Sequence, residues 1–315
     1  MSTIPGGVIS QFGDGISEQD RFFISEILSD LGVNDGSQFF RVLEATELLS
    51  GSDRFALLQA GVDGVVGADN ENFLVGNSGD NIMYGGAGAD TIFSVNGNDV
   101  VYGGTERDVI YGGADDDRLF SDGGDDQVYG NAGNDFIDRD NGDDSLFGGQ
   151  GNDTIEAGAG DVVFGNKGID LILGDGAGSI LYGNEGNDVI LASNGEDTVY
   201  GGQGDDLIEL GTLNSTVYGN IGNDTIYGGD ENTDTIYYLR AGQGQDVIFD
   251  FEIGQDLIVI GRDALPEGAA QITDIKVETI GGLVNLQLAG TGSIDLAGVE
   301  EAEVLEQIEN ILQLV

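Results

Sequence analysis

Gly85–Phe93 reads GGAGADTIF, Gly148–Glu156 reads GGQGNDTIE and Gly201–Glu209 reads GGQGDDLIE. The three nonapeptides share Gly at positions one, two and four, Asp at position six and Ile at position eight. Extended outward in the same register, residues 67–156 divide into ten such units and 165–227 into seven. Residues 157–164 form a unit one residue short and 228–237 a unit one residue long, making nineteen in all. Position eight is aliphatic or Met in every unit, from Leu74 and Met83 to Ile226 and Ile236. Position six is Asp in fifteen units, Asn at Asn72 and Asn81, and Ser at Ser179 and Ser215. A fixed period over so many units marks a repeat architecture in which each unit completes its core only by stacking on its neighbours.

The pattern Gly-Gly-x-Gly-x-Asp-x-apolar-x resembles the calcium-binding nonapeptide of the repeats-in-toxin (RTX) family, from residue 67 to about 256. The resemblance implies an all-β solenoid, a right-handed parallel β-roll, with Ca²⁺ as its cofactor in several copies. Beside it stands the chemistry. Gly at the loop positions permits positive φ and close backbone approach, so six residues turn sharply. Loop carbonyls and the Asp carboxylate then offer the oxygen-only ligand set that Ca²⁺ accepts. The following three residues are β-rich, as in Thr-Ile-Tyr and Val-Ile-Tyr. Two units complete a coil, and coils stack as parallel strands about 4.8 Å apart. One inward aliphatic per nine residues stabilises too little to offset the ordering of nine backbones. Metal binding must supply the difference, so the chain is expected to be unfolded without calcium and folded with it. The candidate metal ligands are Asn81, Asp90, Asp99, Asp108, Asp117, Asp126, Asp135, Asp144, Asp153, Asp161, Asp170, Asp188, Asp197, Asp206, Asp224, Asp234 and Asp246.

Composition points the same way. Among 315 residues, 58 are acidic and 10 basic, a formal net charge of −48. Such a chain repels itself unless cations neutralise it, and it is a poor partner for nucleic acid or an anionic membrane. Cys is absent, which excludes disulfides and thiolate metal sites. No stretch reaches transmembrane length, and Met1–Asp14 lacks the basic start and apolar run of a signal peptide.

Alternate units fall on opposite edges of the roll, and the two edges differ. The units beginning at Gly76, Ser94, Gly112, Gly130, Gly148, Gly165, Gly183, Gly201 and Gly219 keep Gly at position four, except for Asp115. On the other edge Glu106, Ala177, Leu213 and Glu231 replace that Gly, and Ser179 and Ser215 replace Asp. A nearly continuous calcium ladder is expected on the first edge and a gapped one on the second, emptiest between Gly174 and Ser215. Position nine on the gapped edge is Phe93, Tyr111, Tyr129, Phe147, Phe164, Tyr182, Tyr200, Tyr218 and Tyr237. These rings either stack to stabilise the solenoid or form a flat platform for a glycan, a partner or a second copy.

The chain divides into a segment 1–60 that caps the roll or docks a partner, a roll over 61–238, and a C-terminal cap over 239–315. In the first segment, Ser17–Leu31 reads as a capped amphipathic helix, Ser37–Leu49 as a second helix and Phe55–Gln59 as a further helical turn. In the last, strands are expected over Ile272–Ile280, Leu283–Leu288 and Ser293–Leu296, with a helix from Glu300 to Leu312. The resemblance implies that the extreme C-terminus carries a type I export signal read by its secretion machinery, although Ile311–Val315 has no diagnostic motif.

Catalysis finds little support. Without His there is no HExxH zinc site and no His-based triad. No Gly-x-Ser-x-Gly occurs, and neither Lys167 nor Lys276 follows a Gly as a phosphate-binding loop requires. Two functional classes remain: an exported calcium-binding structural, cell-surface or matrix protein, and a calcium-dependent module that binds a glycan or surface partner. Both place the chain outside the cell or at its surface. Ice binding is disfavoured, since the regular Thr-x-Asn arrays of a flat ice-facing edge are not present.

Overall fold

The structure is a computed structural model that describes residues 63–315, apart from 139–140, 193–194, 230–231, 270 and 291, and the strands Phe40–Leu43, Glu47–Leu48 and Phe55–Leu58. It comprises two compact units, residues 1–145 and 146–315.

In the first unit the chain alternates between two parallel sheets. One stacks Phe40–Leu43, Phe55–Leu58, Phe73–Val75, Thr91–Asn96, Val109–Ala114 and Gln127–Ala132 in that order. The other stacks Glu47–Leu48, Gly64–Val66, Ile82–Ala87, Val100–Thr105, Arg118–Gly123 and Phe136–Asp138. From Phe55–Leu58 and Glu47–Leu48 onward strand pairing steps by eighteen residues, so the position-eight side chains meet in register: Leu74, Ile92, Ile110 and Val128 in one sheet, Met83, Val101, Leu119 and Ile137 in the other. All eight are fully buried.

The second unit repeats the arrangement. Val163, Leu181, Val199 and Val217 align in one sheet, and Ile155, Ile172, Ile190, Ile208, Ile226 and Ile248 in the other. Within a half-coil the inward positions are six, eight and one, which are Asp, an aliphatic and usually Gly. The interior is therefore one aliphatic wide, flanked by carboxylates. This is the parallel β-roll expected.

The ends refine that expectation. Residues 17–31, where the first helix is expected, lie outside the described residues. Within the span Ser37–Leu49 read as a second helix, the described residues Phe40–Leu43 and Glu47–Leu48 are short strands, and Phe55–Leu58 is a strand in place of a helical turn. Phe40 pairs with Phe55 and Phe55 with Phe73, so these segments extend the parallel sheet. At the other end Glu301–Ile311 is helical, and its Val304, Ile308 and Ile311 are buried. Val277–Ile280, Leu283–Gln287 and Ser293–Leu296 form an antiparallel meander whose last strand pairs in parallel with Gln245–Phe249. The expected strand start at Ile272 is instead a 3₁₀ turn, Ile272–Asp274, tied down by the Gln271 N–H donating to Asp274 at 3.0 Å. The tail closes the structure: Leu312–Leu314 pairs in parallel with Ile258–Ile260.

Candidate metal centres

Most position-six Asp side chains are held in the same way. Oδ1 accepts the backbone N–H of the position-six residue one coil earlier. In the first unit Asn81 donates to Asp99 at 2.6 Å, Asp99 to Asp117 at 2.8 Å and Asp117 to Asp135 at 2.8 Å. On the opposite edge Asp90 donates to Asp108 and Asp108 to Asp126, both at 2.7 Å, and Asp126 to Asp144 at 2.7 Å. In the second unit the series runs Asp153 to Asp170, Asp188, Asp206, Asp224 and Asp246, at 2.8–3.0 Å. The step is eighteen residues except for Asp153 to Asp170 (seventeen) and Asp224 to Asp246 (twenty-two); in each case one coil separates donor from acceptor, and the inward turn of the loop buries both.

The second carboxylate oxygen tells the rest. Oδ2 of Asp90, Asp99, Asp108, Asp117, Asp126, Asp170, Asp188, Asp197, Asp206, Asp224, Asp234 and Asp246 is buried without a hydrogen-bond partner. A buried charged oxygen left in that state is costly unless a cation meets it. Position one shows the shape of the space. A Cβ on Gly112 would lie 2.6 Å from Asp117 Oδ2 and 2.9 Å from the carbonyl oxygen of Gly130. Carboxylate and carbonyl oxygens thus converge where only Gly leaves room. Among the described residues no three acidic side chains cluster at one point, so a cation here draws most of its oxygens from backbone carbonyls, as Ca²⁺ can. The residues fit the ion.

Burial dominates the electrostatics. It pushes Asp90, Asp99, Asp170 and Asp234 up to about 7. It pushes Asp108, Asp117, Asp206 and Asp246 up to about 8, and Asp126, Asp135 and Asp224 up to about 6. The backbone hydrogen bond from the preceding coil opposes this in every case, and neighbouring carboxylates mostly add to it. Asp188 and Asp197 are raised by the same burial.

The gaps have their own chemistry. The Ser179 hydroxyl donates to the Gly158 carbonyl at 2.8 Å and the Ser215 hydroxyl to the Gly195 carbonyl at 3.0 Å. A proton donor therefore occupies the loop carbonyls at those heights. Asp161, in the shortened unit, accepts the Gly158 N–H of its own loop on Oδ2 at 2.6 Å. Asn81 accepts the Asn77 N–H at 2.8 Å. Both therefore spend an oxygen inside their own loop. Beside Asp246 the Tyr238 phenol is fully buried, and burial followed by Asp246 raises it well above its ordinary value.

Two features of the site escape the consensus. Position five, a free position in the motif, builds a second, exposed ladder, longest on one edge and represented on the other by Asp125, which accepts the Asp143 N–H at 3.2 Å, and Asn214, which accepts the Thr233 N–H at 2.8 Å. Asp80 accepts the Asn98 N–H at 2.9 Å, Asn98 that of Asp116 at 3.3 Å, and Asp116 that of Asn134 at 2.7 Å. Asn187, Asp205 and Asn223 repeat it in the second unit. These bonds run from later coil to earlier, opposite to the buried ladder. The alternation of Asp with Asn, visible in the sequence, was the available signal. The second feature is ring orientation. Phe147, Phe164, Tyr182, Tyr200, Tyr218 and Tyr237 stack at 4.6–4.9 Å with interplanar angles of 2–14°. In the first unit Phe93, Tyr111 and Tyr129 stack at 4.5–4.9 Å. The rings face one another, so the ladder presents edges and hydroxyls, where the platform reading needs ring faces.

Coils stacked on a one-aliphatic core, with buried carboxylate oxygens facing loop carbonyls, define a calcium-binding parallel β-roll. The model of the RTX calcium-binding nonapeptide repeat (four copies) matches nine overlapping stretches from 66–101 to 200–233, over half of the 315 residues. The chain belongs to this family and binds several Ca²⁺ ions. No curated protein matches it. Among solved structures it is similar to the extracellular lipase LipA from Serratia marcescens, with a TM-score of 0.28 and 18% identity over 82% of this chain and 41% of that one. The chain spans about two fifths of that lipase. Among the described residues no helix is long and apolar enough to cross a membrane.

Proposed function

We propose that this chain is an exported, non-catalytic calcium-binding protein of the cell surface or matrix, whose roll folds when it meets calcium outside the cell. The observation that carries the reading is the set of buried Oδ2 atoms without partners between stacked coils. The ion sites assigned are those of Asp90, Asp99, Asp108, Asp117, Asp126, Asp135, Asp144, Asp153, Asp170, Asp188, Asp197, Asp206, Asp224, Asp234 and Asp246. Asn81 and Asp161, with an oxygen engaged inside the loop, are the weakest candidates. Bound calcium supplies positive charge to carboxylates that burial would otherwise keep protonated. The carboxylates, in turn, orient by accepting the N–H of the coil before.

Extracellular sites of this oxygen-rich kind bind at about 10⁻⁴–10⁻³ M. A chain carrying −48 charges therefore stays self-repelling at cytosolic calcium and collapses outside. The division into a leading segment (1–60), roll (61–238) and C-terminal cap (239–315), the last addressed to type I secretion machinery, belongs to this proposal. Far-UV circular dichroism during a calcium titration, with magnesium as control, tests it. The expected result is a cooperative gain of β-structure with calcium alone. A fully folded chain after calcium is stripped would refute it.

A further inference from the structure

We propose that a groove in the second unit binds an extended anionic oligosaccharide, one bearing carboxylate or sulfate groups.

The groove has a volume of about 740 Å³, within the range of ligand sites. Its floor is the aromatic ladder at Tyr200 and Tyr218 with the loop positions beyond it. Its end wall is a local insertion. Five residues, Tyr238–Gly242, join Tyr237 to Gln243, where two, Gly219 and Asn220, join Tyr218 to Ile221. Register is regained at Gln243, whose carbonyl accepts the Gly222 N–H at 2.8 Å, the role Ile221 plays for Gly204 one coil earlier. Tyr238 turns into the core and leaves Leu239–Gly242 standing out from the ladder. Gln243, itself 9% exposed, holds this overhang by accepting the Arg240 N–H on its side chain at 3.1 Å.

The chemistry of the lining selects the ligand. Ring faces are consumed by stacking at 4.6 Å between Tyr182, Tyr200 and Tyr218, so the floor offers hydroxyls at regular intervals. Asn184 and Asn220 each donate Nδ2 to the backbone carbonyl two residues earlier, at 3.4 and 3.2 Å. That bond leaves each Oδ1 as an acceptor along the same row. A repeating row of donors and acceptors suits a hydroxyl-rich chain with one ring per coil. Charge supplies the sign. Residues 146–315 contain four basic side chains, Lys167, Arg240, Arg262 and Lys276, and two of them, Lys167 and Arg240, line this groove. Glu185, one coil from Lys167, is its single acidic lining residue. In a chain of net charge −48 this is a local inversion, and a charge-assisted contact to an anion is its natural use.

The inference rests on the roll being folded with its calcium, which circular dichroism of each sample checks separately from binding. With ten Tyr and no Trp, the intrinsic emission of the full chain is Tyr emission, to which Tyr200 and Tyr218 of the groove floor contribute. Calcium-loaded protein is titrated with short oligogalacturonate, dextran sulfate and neutral dextran. Saturable binding of either charged chain, or both, with no response to dextran is expected. Lys167→Gln/Arg240→Gln should weaken it about tenfold or more, and Glu185→Gln should strengthen it. Dextran binding as tightly as the charged chains, no binding of any chain, or folded charge variants that bind like the parent would each overturn the proposal.

Discussion

The backbone N–H of Asp170 donates to Oδ1 of Asp188 at 2.8 Å, while Oδ2 of the same carboxylate is buried with no partner. One oxygen ties two coils together and the other is left for a cation. The division explains why a single residue type at one position can specify both stacking and metal dependence. It also separates the two roles experimentally.

Asp188→Asn keeps the Oδ1 acceptor and removes the charge. The variant should bind about one calcium ion fewer and fold at higher calcium, losing about 1.4 kcal/mol under conditions where that ion is present at ten times its dissociation constant. Asp205→Asn is the control. Asp205 lies at exposed position five and accepts the Asn223 N–H at 2.8 Å, a role Asn fills equally, so stability should move by less than about 0.5 kcal/mol. Isothermal titration and calcium-dependent circular dichroism read both.

Acid should stabilise the roll once calcium is gone. The folded values of Asp108, Asp117 and Asp206 stand at about 8 against an ordinary 3.8. The metal-free fold therefore binds more protons than the unfolded chain. Its stability is fully present below the ordinary value and is lost as pH rises through the folded ones. Calcium-stripped protein should show more β-structure at about pH 5.5 than at about pH 8. Calcium binding near neutrality should release protons, seen as a buffer-dependent enthalpy. Equal β-content at the two pH values would contradict the shifts.

Ser215→Asp should create a site. The Ser215 hydroxyl currently donates to the Gly195 carbonyl at 3.0 Å, and its Oγ accepts the Asp197 N–H at 3.4 Å. An Asp there restores the oxygen pair of the neighbouring heights and withdraws the donor from the carbonyl. About one additional ion is expected by titration, together with steeper dependence of folding on calcium.

Two glycines should differ sharply. Gly178 has φ +84° with open space around its missing side chain, so Gly178→Ala should cost about 1–2 kcal/mol for the left-handed backbone alone. At Gly186 a Cβ would run into the carbonyl of Gly168 one coil below, backbone that cannot yield without opening the stack. Gly186→Ala should cost more than about 3 kcal/mol. Thermal unfolding in saturating calcium distinguishes them.

Much of this was legible because it is periodic. Leu74, Ile92, Ile110 and Val128 stand eighteen residues apart and therefore meet at one height, and the position-six residues beside them, Asn72, Asp90, Asp108 and Asp126, are buried by the same turn. The helix and meander of the C-terminal cap were legible as well, since Val304, Ile308 and Ile311 keep a helical spacing. The strand at Phe40–Leu43 was not. Its apolar residues suit a helix equally, and pairing with Phe55–Leu58 settles the matter.

A nine-residue period leaves the chain no other economical way to bury its aliphatics, so the roll, its two edges and its buried carboxylates were present in the amino-acid order. Contacts between coils were not. Which oxygen of Asp188 takes the N–H, how Ser215 closes a carbonyl, and that Tyr200 and Tyr218 face each other depend on the height and rotation of one coil against the next. The groove beside Arg240 exists because a local insertion must leave the ladder and rejoin it at Gln243. Such a detour has no periodicity, and it acquires a place only against the coils already stacked beneath it.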